Sequence, residues 1–183
     1  MNRVKWLLLI CFLGAIYRPA LAESDERWYQ IMSSHMAETW TAGNIELYLP
    51  MKTVHMPFAY SHEQRSHYTE HPYGFGIGKG RYNSSGNYEG ILVMGFQDSH
   101  GKPEYMAGYE WIPTWSFANE TKAGVGFVGL VTARSDFSHY RPFPGALPIF
   151  SVSYKQLSLQ ATYVPPVIGS GNVIFTWIKW TFE

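Results

Sequence analysis

The chain has little cysteine and no long apolar segment. Cys11 is the only cysteine among the 183 residues, and no apolar run after residue 22 is long enough to cross a bilayer. One cysteine excludes an internal disulfide and a metal site built from several thiolates. The missing run excludes a transmembrane helix, because spanning takes about 20 apolar residues.

The first 22 residues have the three parts of a secretory signal peptide. Arg3 and Lys5 form a positive start, residues 6–17 are mostly apolar, and Ala20-Leu21-Ala22 supplies the small residues before a cleavage point. An uncleaved anchor helix is the alternative, but this apolar stretch is only about a dozen residues long where roughly 20 are needed. We predict that residues 1–22 are removed before Glu23.

Charge is scarce, whereas aromatic residues are abundant. The chain has 14 basic and 14 acidic residues, and loss of Arg3, Lys5 and Arg18 leaves 11 against 14, a net charge of −3. That balance argues against a nucleic-acid partner. Aromatic residues make up 17% of the chain, yet its mean hydropathy is −0.16. Many aromatic residues without long apolar runs are typical of a membrane β-barrel.

Alternating apolar and polar residues predict eight short strands separated by polar, glycine or proline turns. The strands are expected near residues 46–60, 71–82, 88–98, 104–115, 123–135, 146–154, 157–165 and 172–182. In the last one, Trp180 and Phe182 share a face while Lys179 and Thr181 share the other. Eight is the smallest usual strand number of a membrane barrel. We predict one eight-stranded antiparallel transmembrane β-barrel over residues 44–183, located in a bacterial outer membrane.

An amphipathic helix is predicted before the barrel, within residues 23–43. Four large apolar residues, Trp28, Met32, Met36 and Trp40, are spaced four apart and so share one stripe. Two tryptophans on that stripe favour a helix that lies in the membrane interface. A helix packed on a soluble core is the alternative.

Glycines and prolines interrupt the strand pattern. Gly74, Gly76, Gly78 and Gly80 alternate along one face of the second strand. They indicate either a slot for an extended hydrocarbon chain inside the barrel or simple relief of strand curvature. Proline removes a hydrogen-bond donor from a sheet, so those that fall in strands mark either openings in the barrel wall or strand ends. They are Pro50, Pro72, Pro148 and Pro165.

Few side chains have the chemistry for catalysis. His55 near the end of the first strand, with Asp98 and Ser99 after the third, forms a candidate set for acyl transfer, although such a trio also arises by chance. The remaining histidines lack the spacing of a metal site. They are His35, His62, His67, His71, His100 and His139. No metal or cofactor is expected.

Several short blocks of residues occur in a fixed order along this chain. They are Leu47-Tyr48-Leu49-Pro50 with His55, Phe58-Ala59-Tyr60, Phe96-Gln97-Asp98-Ser99, 107–111, 131–134, 162–165 and 171–173. In these blocks, their order and their spacing, the chain from about Asp25 to the end resembles the lipid A palmitoyltransferase (PagP) family of Gram-negative outer membranes.

The resemblance implies a function. Family members move a palmitoyl chain from the sn-1 position of a glycerophospholipid to lipid A without a cofactor. It implies that His55, Asp98 and Ser99 are catalytic, with His55 as general base and Asp98 supporting the histidinium. Ser99 is then either a nucleophile or an oxyanion donor. It also implies that Pro50, Pro72, Pro148 and Pro165 open lateral routes for lipid.

One position departs from the family pattern. The family's Gly-Tyr-Gly-Trp segment, whose second glycine lies at the floor of the acyl slot, reads Gly108-Tyr109-Glu110-Trp111 here. A glutamate is bulkier and is costly to bury ionised. We therefore expect a shallower slot and a preference for acyl chains shorter than palmitate, or a relaxed preference.

Two other functions remain open on the sequence. A non-enzymatic outer-membrane barrel, either an adhesin or a structural protein, needs only the fold and would not depend on His55, Asp98 or Ser99. A lipid A deacylase would also use histidine and serine but would release fatty acid. The expected partners of an acyltransferase are the phospholipid donor, lipid A and the outer-membrane assembly machinery. The expected state is a monomer or weak homodimer.

Overall fold

The structure is a computed structural model that describes residues 27–117, 120–137, 139–166 and 171–183. The predicted signal peptide lies outside these residues. The chain divides into two compact units, Met1–Ile31 and Met32–Glu183, and the strands found in the described ranges belong to the second. No helix in the described ranges has the length and apolar character needed to cross a membrane.

The described residues contain two helices and nine strands, which follow one another in a simple order. They are α1 Trp28–Ala42, β1 Asn44–His55, α2 His62–Ser66, β2 Gly74–Tyr82, β3 Tyr88–Gln97, β4 Pro103–Ile112, β5 Thr114–Ser116, β6 Thr121–Arg134, β7 Phe143–Tyr154, β8 Leu157–Val164 and β9 Val173–Thr181. Strand β5 continues β4 past Pro113, and both pair with β6. With β4 and β5 counted together as one, the nine strands therefore form the eight barrel strands.

The sheet closes on itself. Each barrel strand pairs antiparallel with the strands before and after it in the sequence. The first strand, β1, also pairs with the last, β9, in a register that places Leu47 opposite Trp180. Closure pairs the first strand with the last, which is the usual way in which an antiparallel sheet of this size avoids two free edge strands. The prediction of an eight-stranded antiparallel barrel preceded by a short helix is confirmed.

The chain after the first strand differs from the predicted strand pattern. We expected it to reach residue 60, but β1 ends at His55 because the amides of Ala59 and Tyr60 both bond to the Met56 carbonyl and form a turn. The polar stretch 61–71, which lies between the first two predicted strands, contains helix α2. Its signal was present in the sequence, since Ser61 and Gln64 form a capping box at the helix start.

The barrel is apolar outside and partly polar inside. Exposed outward positions include Ile45, Phe75, Ile77, Val93, Tyr105, Phe127, Phe150, Val152, Leu159 and Trp180. Buried inward positions include Glu46, Glu110, Gln160 and Lys179 beside an apolar cluster that contains Tyr48, Leu92, Met94 and Trp177. This inverted distribution is typical of a barrel surrounded by lipid. The predicted alternation in the last strand is correct, since Lys179 is buried and Trp180 is exposed.

Glycines of β2 face the lumen and leave room for side chains from β1. A Cβ atom at Gly78 would lie 3.0 Å from the Tyr48 ring, and one at Gly80 would lie 2.5 Å from the Glu46 carboxylate. A Cβ atom at Gly78 would also collide with the backbone carbonyl oxygen of Ile91, so this position has no room for a side chain. At this level of the barrel, the space freed by the glycines is therefore filled by neighbouring side chains.

The Glu46 carboxylate is the centre of a buried polar network in the lumen. Its Oε2 accepts hydrogen bonds from the hydroxyls of Tyr48 at 2.7 Å and Tyr88 at 2.5 Å. Its Oε1 accepts from Lys179 Nζ at 2.8 Å and from Thr181 Oγ1 at 3.0 Å. The Lys179 ammonium also lies 3.4 Å from the centre of the Tyr88 ring. A buried carboxylate with four donors has its charge fully compensated.

The C-terminal part of helix α1 is attached to the outer side of β2 and β3. His35 Nδ1 lies 2.5 Å from Glu89 Oε1, and Arg81 joins Glu89 to Glu38 through contacts of 2.8 and 2.7 Å. Thr39 is fully buried against this cluster. The predicted stripe of Trp28, Met32, Met36 and Trp40 is exposed.

The barrel wall is open at two places. The β1–β2 ladder covers only Asn44 to Tyr48, so the described residues of β1 from Leu49 onward have no ladder partner on β2. The β7–β8 ladder begins at Ile149 opposite Thr162. Pro50 and Pro148 stand next to these two interruptions. Because proline has no amide hydrogen to donate, its position explains why pairing stops there.

Candidate active site

His55, Asp98 and Ser99 lie at the same end of the barrel, which we call the site rim. His55 is the last residue of β1, and Asp98 and Ser99 directly follow β3. Because β1 and β3 run in the same direction with β2 antiparallel between them, their ends reach the same rim. The fold thus brings the three predicted residues to one region, although 43 to 44 positions separate them in the sequence.

The His55 imidazole is held between two tyrosine rings. His55 is 3% exposed. The Tyr68 ring stacks on it with a centroid distance of 4.4 Å and an interplanar angle of 12°, while Tyr60 meets it edge-on at 5.0 Å. The Nδ1 atom is buried without a hydrogen-bond partner among the described residues. Buried polar atoms are usually hydrogen-bonded, so an unpaired nitrogen of this kind marks His55 as a candidate for a catalytic role.

Tyr60 is fixed by its own hydrogen bond. Its hydroxyl donates to the Gly171 carbonyl at 2.6 Å. Burial raises the pKa of the Tyr60 phenol, so it stays protonated and remains a donor at neutral pH. The ring that borders His55 is therefore anchored to the segment that leads into β9.

Asp98 closes a tight turn and does not bond to His55. Its Oδ1 accepts hydrogen bonds from the amides of His100 and Lys102, both at 2.8 Å. The turn depends on Gly101, whose φ of +72° lies in the left-handed region. Asp98 Oδ2 is buried without a hydrogen-bond partner among the described residues. The expected direct support of the histidinium by Asp98 is thus not made as a hydrogen bond in this arrangement.

Ser99 is half-buried at the tip of the same turn, and its backbone is tied to the neighbouring loop. The amide of Thr69 donates to the Ser99 carbonyl at 2.9 Å. Tyr68, which stacks on His55, also meets the His100 ring edge-on at 5.4 Å. Residues 68 and 69 therefore connect the His55 side of the site rim with the Asp98–Ser99 turn.

The tyrosines around His55 were missed by sequence reasoning. Tyr60 belongs to a block that carried the family resemblance, but the alternation pattern placed it in a strand. Tyr68 lies in a polar stretch that showed only a loop pattern. Their role depends on how the chain folds back after β1, and strand periodicity carries no information about such a loop.

Glu110 lies inside the barrel and is completely buried. Gln160 Nε2 donates to its Oε2 at 3.3 Å, and Trp177 Nε1 donates to Gln160 Oε1 at 2.7 Å. Its other oxygen, Oε1, is buried without a hydrogen-bond partner among the described residues. Gly108, two positions earlier, is half-buried, and a Cβ there would lie 3.2 Å from side-chain atoms of Val128. This stretch of lumen is tightly filled.

The four predicted prolines occupy different environments. Pro50 and Pro148 stand at the two openings of the wall, and Thr162 Oγ1 donates to the Pro148 carbonyl at 2.7 Å across the second. Pro72 is buried just before β2, and Pro165 is half-buried just after β8. Two of the four therefore coincide with interrupted ladders, and two lie at strand ends.

The site rim combines an imidazole, a carboxylate and a hydroxyl beside a lumen that contains an apolar cluster with Met94, Phe175 and Trp177. Such a set can deprotonate a hydroxyl and assist its attack on an ester. Within the described ranges, no group of three or more His, Cys, Asp or Glu side chains is arranged to hold a metal ion.

Comparison with known proteins assigns the chain to a family. The family model described as "Antimicrobial peptide resistance and lipid A acylation protein PagP" matches residues 35–179. Three proteins named "Lipid A acyltransferase PagP" are similar to this chain. The protein from Laribacter hongkongensis is 44% identical over 84% of this chain and 74% of its own length. The one from Salmonella typhi is 36% identical over 97% and 96% of the two chains. The one from Cronobacter sakazakii is 39% identical over 97% of each. The chain therefore belongs to the PagP family.

Proposed function

We propose that this chain is an outer-membrane acyltransferase. It moves a palmitoyl or similar chain from the sn-1 position of a glycerophospholipid to lipid A, and this confers resistance to cationic antimicrobial peptides. The observation that carries the proposal is the convergence of His55, Asp98 and Ser99 at one rim of a lipid-compatible barrel. Family membership supports the same reaction.

Location in the outer membrane is supported by the surface of the barrel. Its outward side chains are apolar, and helix α1 presents an exposed stripe with Trp40 and Met36. Tryptophan is favoured at the boundary between lipid and water. We propose that α1 lies in that boundary and that the site rim faces the outer leaflet, where lipid A resides.

Lipid substrates need a route from the bilayer to the site rim. The interrupted ladders beside Pro50 and Pro148 are such routes, since the wall lacks its ladder hydrogen bonds there and fewer bonds must break for it to separate. We propose that one opening admits the phospholipid and the other admits lipid A, with Pro72 and Pro165 shaping the strand ends beside them.

In the proposed reaction, His55 accepts the proton of the attacking hydroxyl. The hydroxyl oxygen bonds to the carbonyl carbon of the sn-1 ester, and the bond from that carbon to the glycerol oxygen breaks. The proton held by His55 passes to the departing oxygen, so a lysophospholipid is released. Asp98 Oδ2 accepts no hydrogen bond among the described residues and lies 3.9 Å from His100 Nδ1, and its carboxylate supports the histidinium electrostatically. Ser99 is either the first acyl acceptor or a donor to the developing oxyanion.

Mass spectrometry of lipid A tests the proposed function. The chain is expressed in a Gram-negative host that lacks its own palmitoyltransferase. We expect lipid A to gain the mass of one acyl chain, and we expect the gain to disappear with Ser99→Ala. A lighter lipid A with free fatty acid would instead indicate a deacylase. Unchanged lipid A from a folded barrel would indicate a non-enzymatic protein.

Glu110 is proposed to set the length of the transferred chain. Its buried carboxyl group, held by Gln160, occupies the position that the family leaves to glycine. Replacing it with glycine should deepen the lumen, so Glu110→Gly should transfer longer acyl chains than the wild type. The products are compared by mass spectrometry of lipid A.

A matched variant separates the size of Glu110 from its charge. Glu110→Gln has nearly the same volume and no charge, so it should keep the wild-type acyl length if size is decisive. Unchanged acyl length in Glu110→Gly would contradict the assignment of this residue to the floor of the acyl slot.

A further inference from the structure

Residues 68–70 form a short connection between the two halves of the candidate active site. Tyr68 stacks on His55, and the amide of Thr69 donates to the Ser99 carbonyl at 2.9 Å. The carbonyl of Glu70 accepts from the amide of Thr53 at 2.8 Å. Three consecutive residues thus contact the end of β1 on one side and the turn after β3 on the other.

This connection lies where the barrel wall lacks its normal pairing. The β1–β2 ladder stops at Tyr48, so the part of β1 that carries His55 is not held by β2. The bond from Thr53 to Glu70 and the ion pair of Lys52 with Glu70 at 3.2 Å attach this part of β1 to segment 68–70 instead. The segment replaces a missing neighbour strand.

The orientation of the His55 ring therefore depends on packing. Asp98 forms its hydrogen bonds within its own turn, and His55 Nδ1 has no hydrogen-bond partner among the described residues. Rotation of the imidazole about its χ2 angle is limited instead by the parallel Tyr68 ring and the edge of Tyr60. An aromatic stack of this geometry defines a plane for the ring.

We propose that Tyr68 is a positioning residue that holds the His55 imidazole in the plane needed for proton transfer beside Ser99. This inference rests on the proposed acyl transfer and adds a residue to it. Tyr68 acts through its ring, because the ring makes the stacking contact with His55. Tyr68 is not expected to bind the substrate.

Kinetics with two variants test this role. Tyr68→Leu removes the stack, and we expect kcat to fall about 100-fold with little change in KM, as for a catalytic group that is misplaced by about 1 Å. Tyr68→Phe retains the ring and should keep most of the wild-type kcat. Tyr73→Leu is the control: Tyr73 is a tyrosine near the same rim that is 76% exposed, and its replacement should leave kcat unchanged.

A spectroscopic measurement tests the same stack without any activity. In NMR spectra of the detergent-solubilised full chain, the carbon-bound ring protons of His55 should be shifted upfield by the Tyr68 ring. The upfield shift should persist in Tyr68→Phe and disappear in Tyr68→Leu. The wild-type spectrum is itself informative if the leucine variant does not fold.

The outcomes distinguish this inference from the proposed function. Full kcat in a folded Tyr68→Leu protein, or His55 signals without an upfield shift in the wild type, would overturn the positioning role. Loss of kcat in Tyr68→Phe equal to that in Tyr68→Leu would also overturn it, because the phenyl ring alone should suffice. If the wild type shows no acyl transfer, the proposed function fails, whereas the NMR shift still reports on the stack.

Discussion

Replacing His55 with alanine is expected to lower lipid A acylation about 100- to 10,000-fold, which is the range that general acid–base catalysis contributes. His55 is the one imidazole that is buried within the described part of the site rim. Without it, the proton of the attacking hydroxyl would have to pass to a more exposed group of the site rim, such as His100, whose side chain is 52% exposed. The rate is measured with purified enzyme and radiolabelled phospholipid in detergent micelles.

A second histidine serves as the control for this variant. His62 is exposed at the start of α2, on the same side of the barrel, so His62→Ala should retain wild-type activity. Each protein is first checked for the shifted gel mobility of a folded barrel. A folded His55→Ala protein that keeps its rate would remove His55 from the reaction and favour a mechanism centred on Ser99.

Replacing Lys179 with methionine should lower the free energy of unfolding by about 3 to 5 kcal/mol, the cost of removing one partner from a buried ion pair. Lys179 and Glu46 are 2.8 Å apart, and both side chains are almost completely buried. The methionine would leave the Glu46 carboxylate with hydrogen bonds but without a counter-charge. Urea unfolding in lipid vesicles, followed by tryptophan fluorescence, measures the change.

Two comparisons isolate the cause of that loss. Adding Glu46→Gln to Lys179→Met removes the uncompensated charge, so much of the stability should return. Lys155→Met breaks the exposed pair with Glu120, 3.5 Å long, which is expected to contribute at most about 1 kcal/mol. A Lys179→Met protein as stable as Lys155→Met would show that the tyrosine and threonine donors suffice for Glu46.

The candidate site was predictable in part. Family blocks and residue chemistry identified His55, Asp98 and Ser99, and the strand pattern placed them at strand ends. The neighbours of His55 were not predictable, because Tyr60 and Tyr68 reach it through a turn and a helix-containing loop. The hydrogen-bond partners of Asp98 were not predictable either, since its Oδ1 accepts from two amides of the turn in which it lies. Side-chain partners of this kind depend on distances between segments that periodicity does not describe.

For the prolines and glycines too, the sequence predicted some features and only the tertiary structure decided others. The sequence indicated that Pro50 and Pro148 interrupt strands, since a missing amide hydrogen is a local property. Whether an interruption becomes an opening depends on the neighbouring strand, and only the registers of β1 with β2 and of β7 with β8 decided it. Likewise, the Tyr48 ring and the Glu46 carboxylate fill the space beside Gly78 and Gly80.

By itself, the sequence determined the number of barrel strands, the alternation of inward and outward residues and the family of this protein. These features follow from local periodicity and from short blocks of residues, both of which are present before the chain folds. The tertiary structure alone decided which groups compensate Glu46, what holds His55 and where the wall is open. Those features depend on contacts between residues far apart in the chain, and such contacts exist only after the barrel has closed and fixed the register of its strands.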